Sequence, residues 1–179
     1  MPKIVSAPNS ILTTPVKHVE KVDDSIKKLI KEMVIILNEK DNPRGVGLAA
    51  NQLGVGLAIF IMKPVEKEKV EVFINPRILK SEEKVIVQRK SSKRKKKQPL
   101  EGCLSIPKVW APVKRSPKVL LEYQDENCKV HRQWFNKLRA VIVQHEVDHL
   151  NGILFTQRAL EQNSNLYEEK DGKLKKMDY

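Results

Sequence analysis

The sequence predicts an α+β domain in which antiparallel sheets pack around a central helix, and three observations predict it. Residues 23–38 place Ile26, Leu29, Ile30, Met33, Val34 and Leu37 at the spacing of a helix with one buried stripe. Short runs rich in β-branched residues follow at 55–62, 70–74, 84–87, 119–123 and 130–135. A second helical pattern covers 138–150, where Leu138, Val141, Ile142, His145 and His149 recur at three- and four-residue steps. Two helices flanking a run of strands give an α+β order rather than an alternating one.

Each element has a local reason. Asp24 or Ser25 can cap the first helix, and Asn42, Pro43, Arg44 and Gly45 break its pattern. The run at 55–62 is apolar throughout, as in a buried strand. The last two runs are joined by polar turn residues 124–127, so an antiparallel meander is the simplest arrangement. The helix over 138–150 is apolar enough to be central. Beyond Phe155 the chain turns polar. A single domain over 1–160 is therefore expected, followed at 161–179 by a loosely packed tail with at most a short strand or turn.

Composition narrows the function. The chain has 179 residues, 40% hydrophobic and 31% charged, enough for one core and too few for two large domains. No apolar run approaches the ~20 residues that cross a bilayer, and residues 1–20 lack the basic start and apolar centre of an export signal. The expectation is a protein that neither spans a membrane nor is secreted. Cys103 and Cys128 allow one bridge at most, which favours metal or thiolate chemistry over a disulfide framework. The net charge is +12, and Arg89, Lys90, Lys93, Arg94, Lys95, Lys96 and Lys97 supply seven of those charges within 88–98. That concentration argues against a polyanion-binding face spread over the domain. It makes 88–98 a basic loop or hairpin insertion.

In His145-Glu146-Val147-Asp148-His149 the histidines lie four apart, one helical turn, so both imidazoles project to one side and can grip one metal ion. The alternative is a pair of exposed helix histidines, which leaves the apolar character of the helix unexplained. A catalytic metal needs a third protein ligand and one open position. No His or Cys follows His149, and Glu161, Glu168 and Glu169 belong to the polar tail, so the third ligand is sought upstream. Cys103 stands there among small and apolar neighbours in Glu101-Gly102-Cys103-Leu104-Ser105. Its alternative is an inert buried thiol.

Three stretches together resemble the signature motifs of the peptide deformylases: Gly45-Val46-Gly47-Leu48-Ala49-Ala50-Asn51-Gln52, Glu101-Gly102-Cys103-Leu104-Ser105 and Gln144-His145-Glu146-Val147-Asp148-His149-Leu150. The resemblance implies the family's α+β fold and an enzyme that removes the formyl group from the initiator N-formylmethionine of nascent polypeptides, releasing formate. It makes Cys103, His145 and His149 the ligands of one divalent metal, Fe²⁺ or Zn²⁺, with Ni²⁺ or Co²⁺ able to substitute. Glu146 becomes the general acid/base for a metal-bound water attacking the formyl carbon. The Gln52 amide and the Leu104 backbone N–H become donors to the developing oxyanion.

A pocket for the methionine side chain would draw on Gly45, Val46, Gly47, Leu48, Gly102, Val141 and Ile142, with plain core the alternative for Val46, Leu48, Val141 and Ile142. Asp148 is expected to face away from the metal, and Gln144 to orient neighbours. Trp110 stands where many bacterial members carry an arginine beside the peptide groove. The expected partners are formyl-Met nascent peptides and the ribosome, the latter through the basic residues 89–97. A monomer acting in a bacterial-type cytoplasm is implied, with an organelle left open. A peptidase with the same metal core, and a catalytically silent RNA- or ribosome-binding protein, are the competing readings.

Overall fold

The structure is a computed structural model that describes residues 2–39, 45–65, 69–82 and 99–178. The strand expected at 84–87, the basic insertion at 88–98 and the helix-breaking residues 42–44 lie outside these residues.

Helix α1, Asp24–Asn38, begins as its sequence asks, but its cap is Asp23 rather than Asp24 or Ser25. The Asp23 carboxylate accepts from the Ile26 backbone N–H at 3.0 Å and from the Ser25 hydroxyl at 2.6 Å, satisfying a donor that the first turn leaves open. The buried face is Ile26, Leu29, Ile30, Met33, Ile36 and Leu37. Burying such side chains contributes about 1.5–3 kcal/mol each, more than helix propensity supplies.

That face packs on a five-stranded sheet. In chain order its strands are β1 (Gly47–Ala49), β2 (Ile59–Met62), β3 (Glu71–Glu82), β6 (Lys118–Gln124) and β7 (Val130–Asn136), and all neighbours run antiparallel. β2 takes only the second half of the apolar run expected as a strand over 55–62. Ile59 and Ile61 join the core under α1, while Phe60 and Met62 join Phe73 and Phe135 on the other face. Against that second face lies α2, Lys137–Leu150, whose Ala140, Ile142, Val143 and Leu150 are buried. The central helix is thus as the sequence predicts.

The expected meander is corrected. Between β3 and β6 the chain departs to build β4 (Leu100–Cys103) and β5 (Ile106–Pro112), which pair with β8 (Tyr167–Lys170) and β9 (Lys173–Lys176) in a separate four-stranded sheet. Within the five-stranded sheet the neighbours follow chain order except at β3–β6, and within the four-stranded sheet except at β5–β8. Helix α3 spans Phe155–Glu161, and the segment expected as a loose tail at 161–179 carries more structure than that, the β8–β9 hairpin docked on β5. Phe155, Ala159 and Leu166 make a small core there with Cys103, Ala111 and Val113. No helix of the described residues is long and apolar enough to cross a membrane.

Candidate active site

Three local structures converge beside α2. The first is the end of β4, where pairing with β5 slips between Gly102 and Cys103 and the chain turns through Leu104 and Ser105. The second is the 3₁₀ turn Ala50–Leu53 after β1, which carries Gln52. The third is the last two turns of α2, where His145 and His149 lie one turn apart, edge to face, with ring centroids 5.0 Å from each other. The ligand atoms of Cys103, His145 and His149 all lie within 4.8 Å of one another. His149 Nε2 is 3.2 Å from Cys103 Sγ.

This donor set fits a single divalent ion. A thiolate with two imidazoles suits a borderline-soft ion and leaves a fourth position open. Cys103 is buried, and its Sγ receives N–H groups from Ser105 at 3.4 Å and from the Gln52 amide at 3.4 Å. Glu146 Oε2 is buried with no hydrogen-bond partner among the described residues, an orphan that a bound ion or water would satisfy.

Supporting groups set the charge states. His145 Nδ1 donates to Glu101 Oε2 at 3.0 Å, which leaves Nε2 for a metal. Burial opposes charge on His145, yet its contacts with Cys103 and Glu101 prevail and hold its pKa well above the usual histidine value. Burial, reinforced by His145 and Arg115, drives His149 well below that value. Burial also tends to raise Glu101, but hydrogen bonds from His145 and Arg115 outweigh it and keep the carboxyl below its ordinary range. Burial pushes Glu146 up to about 7, in the range of a group that both takes and gives a proton near neutrality.

A cavity of about 200 Å³ opens beside these groups, lined in part by Gly45, Val46, Gly47, Gly102, Val141 and Ile142. Leu48 is not among its walls. Successive strand residues face opposite ways, so with Gly47 against Glu146 the intervening Leu48 points to the α1 side and is fully buried in that core. Gln52 and Leu104 both line the cavity. Gln52 Oε1 accepts from Ala49 N at 2.9 Å, and its Nε2 donates to Ser105 Oγ at 3.2 Å as well as to Cys103.

Asp148 is turned away from the three ligand atoms but is buried, bonded to Arg115 and Arg158. Gln144 accepts from Ser116 N at 3.0 Å and donates to Ser116 O at 2.9 Å, tying α2 to the loop before β6. Sequence reasoning gave no role to Glu101, Arg115, Leu100 or Leu138. Glu101 stood within a recognised motif and was legible as a candidate, whereas Arg115 had no signal, being brought to Glu101 only by the fold.

Comparison with known proteins agrees with this geometry. The family model described as polypeptide deformylase matches residues 1–165. The peptide deformylase of Dictyoglomus turgidum is 38% identical over 160 residues, covering 89% of this chain and 93% of that protein. That of Pseudothermotoga lettingae is 41% identical over 146 residues, covering 81% and 75%. The crystal structure of peptide deformylase from Thermotoga maritima superposes with a TM-score of 0.74 at 30% identity, covering 88% of this chain and 97% of that one. With the family model spanning nearly the whole sequence and these relatives alike in fold, the chain belongs to the polypeptide deformylase family, a family of hydrolytic enzymes.

Proposed function

We propose that this chain hydrolyses the N-formyl group from the initiator N-formylmethionine of nascent polypeptides, releasing formate. One observation carries the reading: Cys103, His145 and His149 converge beside the buried Glu146, at the wall of a cavity that is apolar along Val46, Val141 and Ile142. An unbranched thioether side chain suits such a cavity.

Cys103, His145 and His149 would hold the metal. A divalent ion in that position, Fe²⁺ or Zn²⁺ with Ni²⁺ or Co²⁺ able to substitute, supplies Lewis acidity and lowers the pKa of water toward neutrality. Glu146 accepts the proton of the attacking water as its oxygen bonds to the formyl carbon. The same carboxyl then returns that proton to the peptide nitrogen as the carbon–nitrogen bond breaks. The Gln52 amide and the Leu104 N–H donate to the carbonyl oxygen as it gains negative charge, an interaction stronger in the transition state than in the substrate. For this, Gln52 gives up the longer of its two donated contacts, that to Cys103 Sγ at 3.4 Å. The cavity residues Gly45, Val46, Gly47, Gly102, Val141 and Ile142 receive the methionine side chain.

The enzyme acts as a monomer, in the compartment where formylated chains are made, a bacterial-type cytoplasm or an organelle. The ribosome is its second partner, met through the basic residues 89–97. Deleting residues 91–97 should weaken ribosome binding and flatten its salt dependence, and an unchanged affinity and slope would remove that partner.

The reaction is tested by formate release from a formyl-Met tripeptide, with anaerobically purified protein of known metal content beside Glu146→Ala. Formate from the parent alone, at about one metal per chain, supports the reading. A metal-loaded parent that releases none refutes it.

A further inference from the structure

The cavity has a direction. Along β4 it runs from the buried Cys103 out to Leu100, which is 36% exposed and lines the same cavity. Leu100 and Gly102 share one strand face, and Trp110 of β5 is the register partner of Gly102. A peptide whose reacting end lies at Cys103 and Glu146 therefore leaves past Trp110.

Two contacts fix the indole. A Cβ on Gly102 would sit 2.7 Å from Trp110 Cζ3 and 2.9 Å from Cε3, so the glycine opens the slot in which the ring lies on the β4 backbone. On the other side, Trp110 Nε1 donates to Glu169 Oε2 at 2.9 Å. Trp110 pairs with Tyr167 of β8, and Glu169, two residues on, is its diagonal neighbour on the same face. Among the described residues, none of β8 or β9 lines the cavity. Glu169 thus reaches the site only through Trp110. A half-buried indole held at its nitrogen presents a rigid, flat apolar surface at low entropic cost.

We propose that Trp110, fixed against Gly102 by Glu169 of the C-terminal hairpin, is the specificity wall for the residues following the formylated one and favours bulky, flat apolar side chains there. Glu169 is a positioning residue. The proposal rests on the deformylase reading above, and its test separates the two.

The full-length metal-loaded chain is assayed on formyl-Met-Ala-Ala and formyl-Met-Leu-Phe, as parent, Trp110→Ala, Glu169→Ala and Glu169→Gln. The parent prefers formyl-Met-Leu-Phe in kcat/KM. Trp110→Ala lowers that preference about tenfold, through KM with kcat little changed. Glu169→Ala lowers it roughly threefold, while Glu169→Gln keeps it, because the amide oxygen accepts the same indole N–H.

A second readout does not need turnover. The chain has two tryptophans, so in a Trp134→Phe background Trp110 alone emits. Saturation with Met-Leu-Phe shifts that emission in the parent background and with Glu169→Gln, and less with Glu169→Ala. Preference unchanged in Trp110→Ala overturns the wall, and Glu169→Ala identical to the parent in both readouts overturns the positioning. If the parent releases formate from neither peptide, the deformylase reading fails. The emission titration then still decides the wall, a shift supporting it and no shift overturning it.

Discussion

Arg115 joins Glu101 to Asp148. Its Nε and Nη2 donate to the two oxygens of Glu101 at 2.9 and 3.0 Å, while Nη1 donates to Asp148. All three side chains are less than a tenth exposed. Because Glu101 also accepts from His145, the guanidinium orients a candidate metal ligand without touching it.

Replacing Arg115 by Leu strands Glu101 as a buried carboxylate whose remaining partner is His145, while Asp148 keeps Arg158. Breaking a buried pair in this way costs about 3–5 kcal/mol, read as a lower denaturant midpoint at unchanged slope. Metal affinity should fall by roughly 10–100-fold, because His145 loses the anchored acceptor that fixes its ring. Arg115→Lys keeps the charge and loses the fork on Glu101, so it should fall between the two.

Glu146→Gln tests the proton carrier without disturbing the packing. The amide has nearly the shape of the acid, so metal content and thermal midpoint should stay at the parent values. Formate release should drop by about 10²–10⁴-fold, because an amide can neither take nor return the proton. A smaller loss, at full metal content, would place the acid/base role elsewhere.

Much of this was readable because the sequence signals were local. The four-residue step of His145 and His149 needs only helical geometry, and the apolar run into β2 needs only a strand buried on both faces. The sequence leaves Leu48 open between pocket and core for an instructive reason. A loop reading lets every residue of 45–48 face the ligand, whereas the strand that forms there alternates and sends Leu48 to α1. Helix α3 has seven residues, too few for periodicity to register, and β9 is four exposed residues, three of them lysines. The Glu101–Arg115–Asp148 link joins β4, the loop before β6 and α2, and no local pattern encodes it.

Asp23 gives a pH prediction. Hydrogen bonds from Ser25 and the Ile26 backbone hold its carboxyl below the ordinary aspartate value of 3.8. A depressed folded pKa means the unfolded chain binds the proton more readily. The cap's contribution is therefore complete above the unfolded value and is lost as pH falls through the folded one. The stability gap between the parent and Asp23→Ala should be constant at and above about pH 5 and shrink on acidification. Urea midpoints of both proteins across that range would check it. A gap that widens in acid would contradict the assignment of Asp23 as the cap.

Gly47 carries the sharpest prediction about geometry. Its backbone needs no glycine for conformational reasons. What forbids a side chain is space: a Cβ there would collide with Glu146 Oε1 and lie 2.9 Å from its Cδ and 3.0 Å from Ile142 Cγ2. Both neighbours are buried in packed surroundings, so the carboxylate must swing away from the cavity wall to admit a methyl group. A displacement of about 1 Å at a proton-transferring group costs on the order of 10²-fold in rate. Gly47→Ala should accordingly lose about that much in kcat while holding its metal, since none of the three ligand residues is among the atoms it displaces. Gly56→Ala is the control: a Cβ there meets nothing within 4 Å, so its activity should match the parent's. If Gly47→Ala kept full activity with metal bound, the position of Glu146 Oε1 would not be the one from which the proton moves.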